Sequence, residues 1–120
     1  VEDANSVELK LNSMAAAEAV IRLPYTLMEF YLRALRLEER YPAAEAAIGV
    51  LEELVRSQPS VRPKFRWLSM ERTKLSRTKH GRERGDELFR NGAFDRAARE
   101  YSVVLIVDSE GSPTSVHGTN

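Results

Sequence analysis

Residues 84–108 read RGDELFRNGAFDRAAREYSVVLIVD, and this stretch decides the fold. Asn91-Gly92 is a helix-ending signal, because glycine readily adopts the left-handed conformation that a C-terminal cap requires. Apolar side chains then recur at three- and four-residue steps, which predicts a helix over 94–107. The VVLIV run at 103–107 would by itself also fit a buried strand. The helical spacing continues through that run, and we therefore predict two helices joined by a glycine turn.

A shorter motif, part of which lies in this stretch, occurs three times in the chain. MAAAEAVI at 14–21 and YPAAEAAI at 41–48 are near copies, and FDRAAREY at 94–101 is a looser one. Each copy has a bulky residue followed three places later by a small one: Met14 with Ala17, Tyr41 with Ala44, and Phe94 with Ala97. Similarity at intervals of tens of residues is typical of stacked repeats, which usually bind partners rather than transform substrates.

The first half of the chain is predicted to form three helices. A turn at Asn12-Ser13 is expected to cap a helix near 14–22, which ends before Pro24. A helix near 25–39 is predicted to bury one stripe, formed by Leu27, Phe30, Tyr31, Ala34, Leu35 and Leu37. Pro42 suits the first turn of the next helix. That helix is predicted to bury Ala44, Ala47, Ile48, Leu51, Leu54 and Val55 before Gln58-Pro59-Ser60 breaks it.

A long helix near 63–91 is predicted to follow. Pro63 can begin it, and no strong breaker interrupts it apart from Gly81 and Gly85, where it could bend. Its first turns are expected to pack on the preceding helices through Phe65, Trp67 and Leu68.

The residue types of the last two helices suit a helix-pair repeat. A glycine on the first helix allows close approach, a large residue fills the gap at the turn, and a small residue sits at the crossing. These roles fall to Gly85, Leu88, Gly92, Phe94, Ala97, Tyr101 and Leu105. Read together, residues 78–110 resemble the tetratricopeptide (TPR) consensus, which Phe89 and Asp108 also match. Val104 departs from the usual alanine and Ser109 from the usual proline.

The chain has two poorly matching repeats, then a long basic helix, then the well-formed repeat. This order resembles the central region of TPR co-chaperones, namely J-domain proteins with tandem TPR clusters and plant TPR proteins with a thioredoxin-like end. The resemblance implies an all-α fold of antiparallel helix pairs forming a short solenoid. In these co-chaperones a lysine and an asparagine help grip the C-terminal carboxylates of heat-shock chaperones. The matching positions here are Arg82 and Asp86, and the resemblance also implies a peptide-binding position at Phe89. Asp86 would repel an acidic tail, and it could instead pair with Arg82 or Arg90 at four-residue spacing.

Charge is unevenly distributed, although the chain has 18 basic and 18 acidic residues. Residues 1–60 hold six Lys or Arg and ten Asp or Glu, whereas residues 61–84 hold nine and two. The basic segment 62–84 indicates either nucleic-acid binding or a helix surface paired with acidic neighbours of the same fold.

Composition bounds the remaining possibilities. The 120 residues suit one helical domain over 1–108, truncated at both ends, with a disordered tail at 109–120. The sequence contains no cysteine, no signal peptide and no apolar run of the roughly 20 residues that a membrane span needs. We therefore expect a cytoplasmic or nuclear protein.

No residue pattern predicts catalysis, a metal site or a cofactor. The only histidines are His80, on the basic helix, and His117, in the tail. Neither has a cysteine or a suitably spaced carboxylate beside it, and no glycine-rich phosphate loop is present. We therefore expect a protein that is not an enzyme.

The function predicted is an interaction scaffold, either a co-chaperone or an adaptor, that holds a peptide or protein partner in a helical groove. The alternative is a nucleic-acid-binding helical domain that uses 62–84. The last helix is expected to leave an uncovered apolar face formed by Val103, Val104, Ile106 and Val107. We expect self-association or a partner helix at that face.

Overall fold

The computed structural model describes residues 4–110, and it describes the side chains of residues 6–109. The described part is all-α and contains no strand. Its five α-helices are α1 (Ala4–Val20), α2 (Tyr25–Leu37), α3 (Tyr41–Ser57), α4 (Leu68–Arg90) and α5 (Phe94–Glu110). A 3₁₀ helix (Pro59–Phe65) lies between α3 and α4. The predicted fold class is confirmed, and the strand alternative for the VVLIV run is wrong.

The chain divides into two compact units within α4. Unit 1 is Val1–Arg72 and unit 2 is Thr73–Asn120. Each unit has its own buried residues, and each is described by itself below. This division leaves the prediction of a single domain over 1–108 untested, and the short solenoid stays a prediction.

In unit 1, α1 is one continuous helix, and the predicted turn at Asn12-Ser13 is wrong. Asparagine and serine lower helix stability by only a few tenths of a kcal/mol relative to better helix formers. Packing of α1 on α3, which buries Ala16 and Val20, offsets that cost. The end of the helix before Pro24 is as predicted.

The buried face of α2 differs from the predicted stripe. The side chains buried there are Met28, Leu32, Leu35 and Arg36. Of the predicted stripe only Leu35 is buried, Tyr31 is half-buried, and the exposed members are Leu27, Phe30, Ala34 and Leu37. Apolar residues cover a wide side of α2, opposite Thr26, Glu29 and Arg33, so spacing alone could not select which part of that side is buried. Burial of Arg36 against Glu71 selects it, because a buried cation needs an anionic partner.

Helix α3 forms the centre of unit 1. Pro42 lies in its first turn, as predicted. The helix buries Ala43, Ala44, Ala47, Ile48 and Leu51, while Leu54 and Val55 are half-buried. Alanines allow close approach of the neighbouring helices, and both α1 and α2 pack on α3. The helix ends at Ser57, as the Gln58-Pro59-Ser60 break predicts.

The long helix begins later than predicted, at Leu68 instead of near Pro63. Pro63 lies inside the 3₁₀ helix, where the missing amide hydrogen of proline is tolerated in a short helix. Phe65 and Leu68 are buried, which anchors this segment to unit 1 as expected. Trp67 is half-buried and donates a hydrogen bond from Nε1 to the backbone oxygen of Lys64 at 3.1 Å.

In unit 2, the turn between α4 and α5 is the predicted glycine cap. Gly92 has a φ of +82°, and its amide donates to the carbonyl of Phe89 at 3.0 Å. The amide of Ala93 donates to the carbonyl of Leu88 at 2.9 Å. This pair of bonds satisfies the last carbonyls of α4 and reverses the chain.

Most of the predicted tail lies outside the described residues. Ser109 and Glu110 belong to α5, which extends past the predicted end at 107. None of the helices in the described part is both long and apolar enough to span a membrane.

Candidate functional site

The two helices of unit 2 form an antiparallel hairpin. Lys74 Nζ lies 3.5 Å from Asp108 Oδ1 near the open end, and the Phe89 and Phe94 rings meet beside the turn. Between these ends, Gly81 faces Val104 and Gly85 faces Tyr101. As residue numbers increase along α4, the numbers of the contacting residues on α5 decrease, which shows that the two helices are antiparallel.

Two glycines allow this close approach, one helical turn apart on α4. A Cβ at Gly81 would lie 2.9 Å from Val104 Cγ2 and 3.3 Å from the backbone oxygen of Glu100. A Cβ at Gly85 would overlap the ring of Tyr101. The helix continues through both positions as one element, and the missing side chains allow α5 to pack closely there.

The predicted peptide-binding pair, Arg82 and Asp86, is occupied by contacts within the hairpin. The Tyr101 hydroxyl donates a hydrogen bond to Asp86 Oδ1 at 2.6 Å, and Arg82 Nε lies 3.9 Å from the same oxygen. The hydrogen bond raises the pKa of Tyr101 above its usual value, because the carboxylate stabilises the protonated phenol. The alternative interpretation of Asp86, pairing with Arg82, agrees with this geometry. Tyr101 as its main partner was not predicted.

Phe89, the third predicted peptide-binding residue, lies at the tip of the hairpin. Its ring meets that of Phe94 edge to face, with centroids 5.1 Å apart. Phe89 is 56% exposed and Phe94 is 59% exposed. Phe94 therefore does not fill a gap between helices. Two exposed, mutually braced aromatic rings instead form an apolar tip.

The exposed apolar residues of α5 agree only in part with the predicted ones. Val107 is buried and Val104 packs against Gly81, whereas Leu105 is 82% exposed. Val103 and Ile106 are exposed as expected. Leu105, predicted as a packing residue, is instead exposed. Val103, two residues before it, lies on the opposite side of α5, where it lines a groove. We define the hairpin surface as Phe89, Phe94, Leu105 and Ile106.

The other predicted repeat-packing residues differ in burial. Ala44, Gly85, Leu88 and Ala97 are buried, while Ala17, Tyr41 and Tyr101 are half-buried and Gly92 is exposed at its turn. In α1 the fully buried small residue is Ala16, one position before the predicted Ala17. Met14, its bulky partner in the motif, is exposed.

A groove of about 640 Å³ runs along unit 2 beside the Gly81 contact. Its charged lining mixes both signs: Arg77, Arg84, Glu83, Glu87 and Glu100. Arg84 Nη1 lies 3.8 Å from Glu87 Oε1. His80 also lines the groove. Within the described residues, no group of three His, Asp or Glu side chains is placed to hold a metal ion.

Much of the basic segment 62–84 is paired within the fold. Arg72 makes two hydrogen bonds to Glu52, at 3.0 and 2.7 Å, and these raise the pKa of its guanidinium above the usual value. Lys74, Arg82 and Arg84 have the ion pairs described above. This pairing agrees with the interpretation of a helix surface neutralised by its own fold. Nucleic-acid binding stays an untested prediction, and a binding constant that collapses steeply with added salt would favour it.

Comparison with known proteins adds no relative. No family model matches the chain, no curated protein matches its sequence, and no solved structure matches its fold. The resemblance to the TPR consensus therefore depends on the residues of this sequence alone.

Proposed function

We propose that this protein is an interaction scaffold of the TPR type, a co-chaperone or adaptor segment, and that unit 2 binds a protein partner through the hairpin surface. The main support for this proposal is the Phe89–Phe94 tip, in which both rings are more than half exposed. Apolar residues scattered singly over a surface need no partner, but clustered aromatic rings are typical of binding surfaces.

The rigidity of the hairpin supports the same proposal. The glycine contacts and the Tyr101–Asp86 hydrogen bond join α4 and α5 within a few turns of the tip. A surface presented by a braced element loses less conformational entropy on binding than a flexible loop. The proposed partner is a peptide or an amphipathic helix with apolar anchors. A second copy of the chain is included, because α5 exposes Leu105 and Ile106.

A capture experiment tests the proposal. The immobilised chain is exposed to a cell extract beside the variant Phe89→Ser/Phe94→Ser, and bound proteins are identified by mass spectrometry. The control is Phe30→Ser/Leu37→Ser, which removes exposed apolar side chains from unit 1. We expect specific partners that the tip variant loses and the control retains. Equal capture by all three proteins would contradict the proposal.

Two solution measurements distinguish the kinds of partner. Sedimentation at high concentration tests self-association, and a strict monomer would remove the second copy as partner. Fluorescence anisotropy with the acidic C-terminal peptide of a heat-shock chaperone tests the chaperone assignment. We expect weak binding of that peptide, because the Asp86 carboxylate would repel it and Arg82 already has an intramolecular anion nearby.

A further inference from the structure

A second groove lies in unit 1, where the 3₁₀ helix meets the start of α4. It encloses about 350 Å³, and its walls include Val55, Phe65 and Leu68. Arg62 and Arg66 line the same groove. This volume is at the lower end of the range of ligand pockets, about 300–1,000 Å³.

These two arginines differ from the rest of the basic segment. Among the described residues, neither the Arg62 nor the Arg66 side chain has an ion pair or a hydrogen bond to the protein. Lys64, between them, lies over the Tyr25 ring at 5.2 Å from its centroid. Within the basic segment of unit 1, the two arginines without an anion therefore line one groove.

The one carboxylate in the groove does not compensate these arginines. Glu52 lines it, but both of its oxygens accept hydrogen bonds from Arg72. Arg62 and Arg66 line the same groove, where their like charges repel. An incoming anion would relieve that repulsion and could accept hydrogen bonds from both guanidinium groups.

The apolar walls decide which anion fits. Phe65 is 5% exposed and Leu68 is 6% exposed, so these residues offer an apolar floor but no free ring face. Single-stranded nucleic acids bind by stacking bases on exposed aromatic rings, which this groove lacks. An aliphatic side chain flanked by carboxylates fits both features of the groove.

We propose that the Arg62–Arg66 groove of unit 1 binds an acidic peptide segment that carries one aliphatic anchor. The two guanidinium groups bind its carboxylates, and the anchor lies against Val55, Phe65 and Leu68. This site is on different residues from the hairpin surface, and it does not depend on the function proposed for unit 2.

The test uses fluorescence anisotropy with the full chain at low and physiological salt. The main probe is a short fluorescein-labelled peptide of Asp and Glu residues around one leucine. A second peptide has serine in place of leucine, and a third probe is oligothymidylate of equal charge. We expect the leucine peptide to bind best, and Arg62→Gln/Arg66→Gln to weaken it by about tenfold.

The matched control is Arg22→Gln/Arg56→Gln, which removes the same charge from exposed positions elsewhere in unit 1. We expect the control to bind the leucine peptide as the native chain does. Val55→Ser should lower affinity for the leucine peptide and leave the serine peptide unchanged. Equal loss in the control, no binding of the leucine peptide, or stronger binding of oligothymidylate would each overturn the proposal.

Discussion

The two units are held together by different kinds of contact. Unit 1 packs helices around the alanines of α3 and buries an ion pair, in which Arg36 Nε donates to Glu71 Oε2 at 2.8 Å. In its described residues unit 2 comprises the remainder of α4 together with α5, and Gly81 and Gly85 allow close contact with side chains of α5. Unit 1 thus buries an ion pair between distant helices, whereas in unit 2 two glycines allow close helix contact and the Lys74–Asp108 pair lies near the open end.

The largest effect is expected in unit 1, from Glu71→Gln. Arg36 and Glu71 are both 2% exposed, so this change removes the buried carboxylate charge that Arg36 Nε binds. We expect a loss of about 3–5 kcal/mol in the free energy of unfolding, measured by urea denaturation. The control Glu53→Gln breaks the exposed pair with Arg56 and should cost about 1 kcal/mol or less. A loss below that of the control would show that the buried pair is not essential to unit 1.

A medium effect is expected in unit 2, from Gly85→Ala. The new methyl group would overlap the Tyr101 ring, and overpacking of this kind costs about 1–3 kcal/mol. The control is Gly49→Ala on α3, where nothing lies within 4 Å of an added Cβ. That substitution should stabilise the protein by about 0.5–1 kcal/mol, because alanine favours helix over glycine. Thermal and urea unfolding measure the change in the free energy of unfolding for both variants. If both substitutions stabilised the protein, the close contact between Gly85 and Tyr101 would be contradicted.

The smallest effect concerns pH. The Tyr101 pKa is raised above the ordinary tyrosine value of 10.0, mainly by the hydrogen bond to Asp86. A raised pKa means that the bond stabilises the folded protein fully below about pH 10, and that this stabilisation is lost as the pH rises through the folded-state pKa. We expect the native chain to exceed Tyr101→Phe in stability at neutral pH, and the difference to shrink in strong alkali.

Absorbance titration of tyrosine checks the cause of this pH effect. In Asp86→Asn the highest tyrosine titration should move down toward the usual value, because the carboxylate that stabilises the phenol is gone. An unchanged titration curve in this variant would show that Asp86 does not raise the pKa of Tyr101.

The hairpin was predictable because its signals are local. Asn91-Gly92 marks the turn, and Gly85 with Tyr101 marks the contact, all within the 25 residues quoted from 84–108. Glycine has few reasons to occur inside a helix, so its presence is informative. The partner of Asp86 was missed, because a tyrosine 15 residues away is visible only once the hairpin register is known.

Unit 1 was less predictable because its decisive contact is distant in sequence. Arg36 and Glu71 are 35 residues apart, and each looks like an ordinary surface residue on its own helix. Without that pair, the wide apolar side of α2 gives no unique buried face. The Arg62–Arg66 groove was missed for the same reason, since the pairing of Arg72 with Glu52 decides which arginines stay without an anion.

One NMR measurement tests the central claim, that close glycine contacts form the α4–α5 hairpin and so place the aromatic tip at its end. In the full chain, nuclear Overhauser effects should join the Gly85 α-protons to the Tyr101 ring and the Gly81 α-protons to the Val104 methyl groups. Effects from the Phe89 ring to the Phe94 ring should accompany them. An assigned spectrum that lacks all of these cross-peaks, with α4 and α5 still helical, would contradict the hairpin.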